Sequence, residues 1–234
     1  MTTQLPNLVL IPGLLCSDAL FAYQKSALSD IADVRIGRIL HHDSLSGMAQ
    51  AILATSPERF ALAGLSLGGF VAFEILRQAP ERVTKLALLN TNARADRAPE
   101  LRLREMLLGL SRTLGVRAVQ SAVLPMLVRR QALSDRVLVS RVLKMADAVG
   151  RPAFERQQAA IIARPDSRPF LSQIKCPTMI IVGEQDAMTP PKVAEEMRQG
   201  IAGSQLEIIP DCGHLSTMEQ PEAVTQLLRR WLGN

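Results

Sequence analysis

Ala61-Leu62-Ala63-Gly64-Leu65-Ser66-Leu67-Gly68-Gly69 carries an apolar, strand-like run into a helix-like one through a G-x-S-x-G pentapeptide. That context marks a nucleophile elbow, a strand-to-helix turn that presents a serine hydroxyl at the edge of a sheet. The turn is so tight that residues two before and two after the serine must be small, or their Cβ atoms collide; Gly64, Gly68 and Gly69 meet that demand. The pentapeptide alone also fits a glycine-rich turn holding an ordinary serine, so the rest of the chain decides between the two.

On either side of the elbow, short apolar runs alternate with amphipathic stretches, the pattern of a parallel sheet with crossover helices. Strands are expected at 8–11, 34–39, 60–65, 86–90, 178–182 and 206–209. Helices are expected at 17–28, from a cap at Asp43 or Ser44 through 54, and from the elbow to 78, ahead of Pro80. Two more should follow an N-cap at Thr189 with Pro190, and run over 222–232 behind Pro221. Between Thr91 and Phe170 the alternation stops. Apolar residues there recur every three to four positions over 101–110, 116–128, 134–149 and 153–163, punctuated by Gly109, Gly115, Pro125, Gly150-Arg151-Pro152 and Pro165. The expected organisation is an α/β core made of 1–91 and 169–234, interrupted by a helical lid at 92–168.

With 234 residues, 47% of them hydrophobic, the chain is large enough for one substantial core. No stretch reaches the roughly 18 consecutive apolar residues of a membrane span. The start, Met1-Thr2-Thr3-Gln4-Leu5-Pro6-Asn7, lacks the basic and then apolar segments of a secretory leader. Cys16, Cys176 and Cys212 are odd in number and widely spaced, which indicates neither a disulfide framework nor a zinc site, so a cytoplasmic location is expected. The net charge of +5 is uneven: residues 92–168 hold 15 Lys and Arg against 7 Asp and Glu, a balance of +8. Those arginines are dispersed at helical spacing with few aromatics between them, which suits a solvated helix face and not a nucleic-acid surface. A minority of them is expected to turn inward toward an anionic substrate.

A serine hydroxyl is a weak nucleophile until a base and an orienting carboxylate stand beside it. The strand at 178–182 runs into Gly183-Glu184-Gln185-Asp186, and the strand at 206–209 into Pro210-Asp211-Cys212-Gly213-His214. Residues just past the carboxyl ends of parallel strands converge on one edge of the sheet. By position, Glu184, Asp186 and Asp211 all compete for the role of acid.

With Gly64-Leu65-Ser66-Leu67-Gly68-Gly69, Val182-Gly183-Glu184-Gln185-Asp186 and Cys212-Gly213-His214 in register over nearly the whole length, the chain resembles the α/β-hydrolase superfamily, close to its small bacterial esterase, enol-lactonase and menaquinone-pathway lyase group. The resemblance implies an α/β-hydrolase fold with a mainly parallel six-stranded sheet, helices on both faces and a helical lid. It implies a catalytic triad of Ser66, Asp186 and His214, with Asp211 left as a loop residue. The oxyanion hole would be the backbone N–H groups of Leu67 and, from the loop Ile11-Pro12-Gly13-Leu14-Leu15, of Leu14. Ester or lactone cleavage of a small molecule is the implied activity, without metal or cofactor. A lyase or C–C hydrolase acting on a carboxylate-bearing metabolite is the alternative, and a non-catalytic receptor the third reading.

Two departures stand out. The oxyanion loop of the family usually reads His-Gly where this chain has Pro12-Gly13, so a histidine that commonly braces the loop is absent. Only seven residues precede Leu8, which leaves no room for the family's first hairpin and puts the strand at 34–39 near an exposed edge, where Arg35 and Arg38 discourage pairing with another chain. Arg164 and Arg168, where the lid rejoins the core, are the expected substrate-binding arginines. His41-His42-Asp43 reads as a loop or cap and not a metal site, because adjacent histidines diverge and the only other one is His214. Cys16 and Cys212 read as small apolar filler. Gly183-Glu184-Gln185-Asp186 is no phosphate loop, and the Gly13 loop lacks the later glycines of a dinucleotide site. Of Met106, Met126, Met145, Met188, Met197 and Met218, most should be core and a few should face Ser66.

Overall fold

Strands that read as unbroken apolar runs must be covered on both faces, and the computed structural model, which describes residues 5–233, shows that arrangement. The expectation about a leader at 1–4 lies outside the described residues. Strands β1 (Asn7–Ile11), β2 (Asp33–Ile36), β3 (Phe60–Leu65), β4 (Val83–Leu89), β5 (Thr178–Gly183) and β6 (Gln205–Ile209) form one six-stranded sheet in the order β2-β1-β3-β4-β5-β6. Every neighbouring pair is parallel. Alternate residues serve opposite faces. Val9, Ile11, Leu62, Leu88 and Ile180 pack under α2 (Leu45–Thr55), α3 (Leu67–Gln78) and α6 (Pro191–Gly200). Leu8, Leu10, Ala63, Leu89 and Ile181 pack against the other side with Leu228 and Trp231 of α8 (Pro221–Gly233). Each fully buried large side chain stabilises by about 1.5–3 kcal/mol.

The expected strand at 34–39 ends at Ile36 and is the sheet edge, half-exposed in alternation, with Arg35 paired to Asp33 at 2.9 Å. β4 begins three residues earlier than its apolar run because Lys85, which reads as polar, has a local use: its ammonium donates to the carbonyls of Trp231 and Leu232 at the end of α8. Ser44, not Asp43, caps α2, accepting from Gly47 N–H. Thr189 is not the N-cap of α6; Pro190 stands there, and the Thr189 hydroxyl turns to Asp186. The expected helix at 17–28 divides into a 3-10 turn at Asp18–Phe21 and α1 (Ala22–Ala27), and a short α7 (Ser216–Glu219) precedes α8.

Between β4 and β5 runs the helical insertion, α4 (Ala98–Leu127) and α5 (Arg136–Ile162). Each is two helices joined at a glycine in left-handed territory, Gly115 at φ 81° and Gly150 at φ 74°, so the four expected segments are present as two bent pairs. Gly109 and Pro125, also expected as breaks, lie within α4. The insertion closes a small core of its own around Leu107, Val119, Ala153 and Phe154, and into it reaches Leu15 from the loop after β1.

Candidate active site

Ser66 sits at φ 56° and ψ −115°, a backbone conformation that costs a non-glycine residue about 1–3 kcal/mol and persists only where its surroundings over-determine it. Those surroundings are explicit. Ser66 N–H donates to Leu89 O at 3.0 Å, and Ser66 O accepts from Gly69 N–H at 2.9 Å and from the Thr91 hydroxyl at 2.8 Å. A Cβ on Gly64 would lie 2.2 Å from Gly68 O, and one on Gly68 would lie 2.1 Å from Ile11 O, so backbone meets backbone at both positions. The Ser66 side chain is half-buried and faces a cavity of about 480 Å³ between sheet edge and insertion, which His214, Leu14 and Leu67 also line.

Asp186 and His214 meet at the neighbouring strand ends. His214 Nδ1 lies 2.8 Å from Asp186 Oδ2 and 3.0 Å from Oδ1, and both residues are buried. The carboxylate is saturated: Oδ1 accepts from the N–H groups of Met188 and Thr189, and Oδ2 from the Thr189 hydroxyl and the Asn90 amide at 2.9 Å. Burial pushes the Asp186 carboxyl up, and the His214 ring with the Thr189 N–H and the Asn90 amide more than offset it, holding Asp186 below the usual carboxylate range. Glu184 is exposed, and Asp211 points to Arg129 at 3.3 Å, so neither reaches His214.

Asn90, just past β4 at φ 44°, is the site residue that sequence reasoning missed. Its amide donates to Asp186 and to Gly213 O, and its carbonyl oxygen accepts from the Ser216 hydroxyl at 2.5 Å, so it ties the acid loop to the histidine loop. Its position at a strand end on the same sheet edge was the available signal. Glu219 braces the histidine loop from the other side, accepting from Gly213 N–H at 3.0 Å and Arg129 N–H at 2.8 Å.

Two backbone donors stand near Ser66 Oγ's edge of the cavity. Leu67 is the first residue of α3, where the helix has no acceptor of its own and the dipole favours negative charge. Leu14 follows Gly13, whose Cβ position would lie 3.4 Å from Ser66 Cβ, and its N–H makes no hydrogen bond among the described residues. Around the cavity stand Phe70, Leu103, Val123 and Phe154, with Met126 and Met188 the methionines that face it. Met145 and Met197 are core, and Met106 is exposed. The Cys16 thiol is pushed by burial up to about 12, and burial likewise raises Cys212, so both are inert filler. His41 and His42 are exposed, and no group of three metal-ligating side chains occurs among the described residues.

The two expected substrate arginines are elsewhere engaged. Arg168 does not line the cavity; its guanidinium takes Asp166 at 2.5 Å and approaches Glu196 at 3.7 Å. Arg164 does line it, but its donors go to Arg94 O, Ile161 O and Asp96, and it lies over the Phe70 ring at 4.3 Å. Charge counting could not foresee Asp96, a buried carboxylate shared by Arg104 and Arg164. Burial raises Asp96, and the two guanidinium hydrogen bonds outweigh it, leaving it below the usual range. Because the folded value is depressed, this stabilisation is complete above the unfolded value near about 4 and is lost as pH falls through the folded one. Asp96→Asn is expected to destabilise the protein by about 3–5 kcal/mol at neutral pH, since it leaves guanidinium charge buried without its partner. Urea unfolding at pH 7 and pH 3 checks this, and the gap between variant and parent should narrow at the lower pH.

Comparison with known proteins places this geometry. A family model described as alpha/beta hydrolase fold matches residues 42–221. The pimeloyl-[acyl-carrier protein] methyl ester esterase of Nitrosomonas europaea is 29% identical over 187 residues, 77% of this chain and 74% of that protein. A thermophilic esterase from Thermogutta terrifontis, solved with malate bound, superposes with a TM-score of 0.89 at 29% identity, over 98% of this chain and 90% of that one. The enol-lactonase of Burkholderia xenovorans LB400 gives 0.87 at 25% identity, over 99% and 92%. The elbow, the parallel sheet and the match across most of its length put this chain in the α/β-hydrolase fold family.

Proposed function

We propose that this chain is a serine hydrolase that cleaves carboxylic esters or lactones of small molecules through an acyl-enzyme on Ser66. The observation that carries the reading is the single cavity onto which the Ser66 side chain, the Asp186-paired His214 ring, and residues Leu14 and Leu67 all open. Ser66 Oγ attacks the carbonyl carbon while His214 Nε2 takes its proton, and the carbonyl oxygen, now an alkoxide, is received by the Leu67 and Leu14 N–H groups. The bond to the leaving oxygen then breaks as His214 returns the proton to it, and water repeats the sequence in reverse to free the acid. Asp186 keeps the proton on Nδ1 and offsets the charge of the transient imidazolium. The Ser66 hydroxyl makes no hydrogen bond among the described residues, as is common before substrate draws nucleophile and base together.

Residues 92–168 act in this reading as a cap that excludes water and shapes the acyl pocket. The esterase names of the relatives support ester cleavage over the lyase alternative, as does the engagement of the arginines that motivated it. Free thiols at all three cysteines suit a cytoplasmic enzyme. The test is a panel of aliphatic esters and lactones with products identified by mass. Equal amounts of acid and alcohol from the esters, or the ring-opened hydroxy acid from a lactone, support the reading, whereas an elimination product or no turnover rejects it.

A carboxylate-bearing acyl group is favoured by Lys192, which lines the cavity with no ion pair among the described residues, whereas Arg94, Arg97, Arg104 and Arg164 there are each paired. A dicarboxylate monoester is expected to exceed its matched neutral ester several-fold in kcat/KM, and Lys192→Met to remove that preference. A preference that survives the substitution, or that vanishes in both proteins with salt, would assign it to steering by surface charge, screened over about 8 Å at physiological ionic strength.

A further inference from the structure

The loop that offers Leu14 is held by a residue of the insertion, not of the core. Cys16 N–H donates to Gly13 O at 3.2 Å, closing a four-residue turn whose third residue, Leu15, is at φ 55°. Leucine in that conformation costs about 1–2 kcal/mol, so something must hold it. The holding group is Gln157 of α5, entirely buried. Its Oε1 accepts from Leu15 N–H at 3.2 Å, and its Nε2 donates to Ile39 O at 3.3 Å. The peptide between Leu14 and Leu15 is thereby clamped on both sides, because its carbonyl accepts from the Cys16 thiol at 3.4 Å while its N–H is taken by Gln157. Fixing that peptide plane restricts ψ of Leu14, and the Cys16 N–H bond to Gly13 O holds the adjoining Gly13–Leu14 plane, which carries the N–H offered to the oxyanion. The Leu15 side chain is locked in the same place, packed among Leu107, Val119 and Phe154 of the insertion.

We propose that Gln157 is a positioning residue for the oxyanion hole, so that carbonyl activation is complete only while the insertion is seated on the loop after β1. This rests on the ester-hydrolase reading above. An amide suits the place because one group must accept and the other donate, with no charge to bury. From the cap, Gln157 therefore does the bracing that Pro12 cannot supply.

The test compares an oxygen ester with its thionoester, whose developing sulfur anion draws far less from N–H donors. In Gln157→Leu, kcat for the oxygen ester is expected to fall about 10–100-fold, short of the 10²–10³ for losing a donor outright, with KM changed less than threefold. The thionoester should lose much less, so the ratio of the two rates collapses. Hydrogen exchange at the Leu15 amide, slow in the parent, should become fast. Gln157→Glu supplies the second variant: its buried carboxyl, when protonated, can accept from Leu15 and donate to Ile39, so the ratio should hold at low pH and fall as pH rises. An unchanged ratio in Gln157→Leu, with only a lower Tm, would make Gln157 a clamp on the insertion and overturn the proposal, as would, if the leucine variant does not fold, a ratio in Gln157→Glu that stays constant over a pH range in which infrared difference spectra show the new carboxyl ionising. Should the parent hydrolyse no ester, the functional reading fails by itself, and unchanged exchange at Leu15 in the variants would separately reject the positioning role.

Discussion

Ser66→Ala is expected to abolish labelling by a fluorophosphonate and to lower ester turnover by at least about 10³-fold, leaving the residual rate that binding and the oxyanion donors supply. The fold should survive. The contacts that hold the elbow all reach the Ser66 backbone, from Leu89 O, Gly69 N–H and the Thr91 hydroxyl, and alanine keeps all of them. Since the Ser66 hydroxyl makes no hydrogen bond among the described residues, its removal should shift stability by less than about 1 kcal/mol, as for a substitution that breaks no buried contact. Circular dichroism and a urea melt separate loss of chemistry from loss of structure. Turnover near the parent level in a folded alanine variant would remove Ser66 as nucleophile and leave the elbow as a turn only.

What the chain discloses before folding follows the range of the forces involved. The elbow was legible because its constraint is steric and local: Gly64 and Gly68 are required by atoms a few residues away or one strand across. Strands β1, β3 and β5 were legible because burial on both faces leaves an unbroken apolar run, and the bends at Gly115 and Gly150 because no other residue takes that backbone cheaply. The candidate site was legible only as far as strand ends reveal it. Asp186 and His214 follow β5 and β6, and the structure sets them 2.8 Å apart. Asn90 follows β4 by the same rule, but an amide in a turn carries no pattern, and its three partners lie 96, 123 and 126 residues away. Gln157 is harder still, since its partner Leu15 is 142 residues distant and its burial in a kinked amphipathic helix looks like any other position of that face. Arg164 and Arg168 show the limit of charge counting, which registers a cation but not the carboxylate that engages it.

Asp186→Asn is expected to cost about 10⁴-fold in kcat, for a reason that lies in the hydrogen bonds around the side chain. Asp186 accepts from Met188 N–H, Thr189 N–H, the Thr189 hydroxyl and Asn90, and also faces His214 Nδ1. An asparagine can keep its oxygen toward the two N–H groups, which directs its NH₂ toward Asn90 and the ring. The ring must then present Nδ1 as an acceptor and carry its proton on Nε2, the nitrogen that should take the proton of Ser66. Base strength is lost while the shape is kept, so KM should change little. Stability should fall, because the NH₂ meets the Asn90 donor at 2.9 Å where a carboxylate met it before, and a buried donor left unmatched costs about 1–3 kcal/mol. The exposed competitors serve as the control: Glu184→Gln and Asp211→Asn should each stay within about threefold of the parent, as surface substitutions remote from the reacting atoms. A second exchange sharpens the assignment. Asn90→Asp would set a carboxylate against Asp186, so that one of the two retains a proton and turnover falls in the parent background. Placed on Asp186→Asn, the same exchange restores a carboxylate beside the asparagine and replaces the clashing donor with an acceptor. The exchange also gives up the donor to Gly213 O, so the double variant should regain only the part of the lost stability that the facing donors cost. Turnover surviving in Asp186→Asn but lost in Asp211→Asn would move the acid to the histidine loop and reject its assignment to the end of β5.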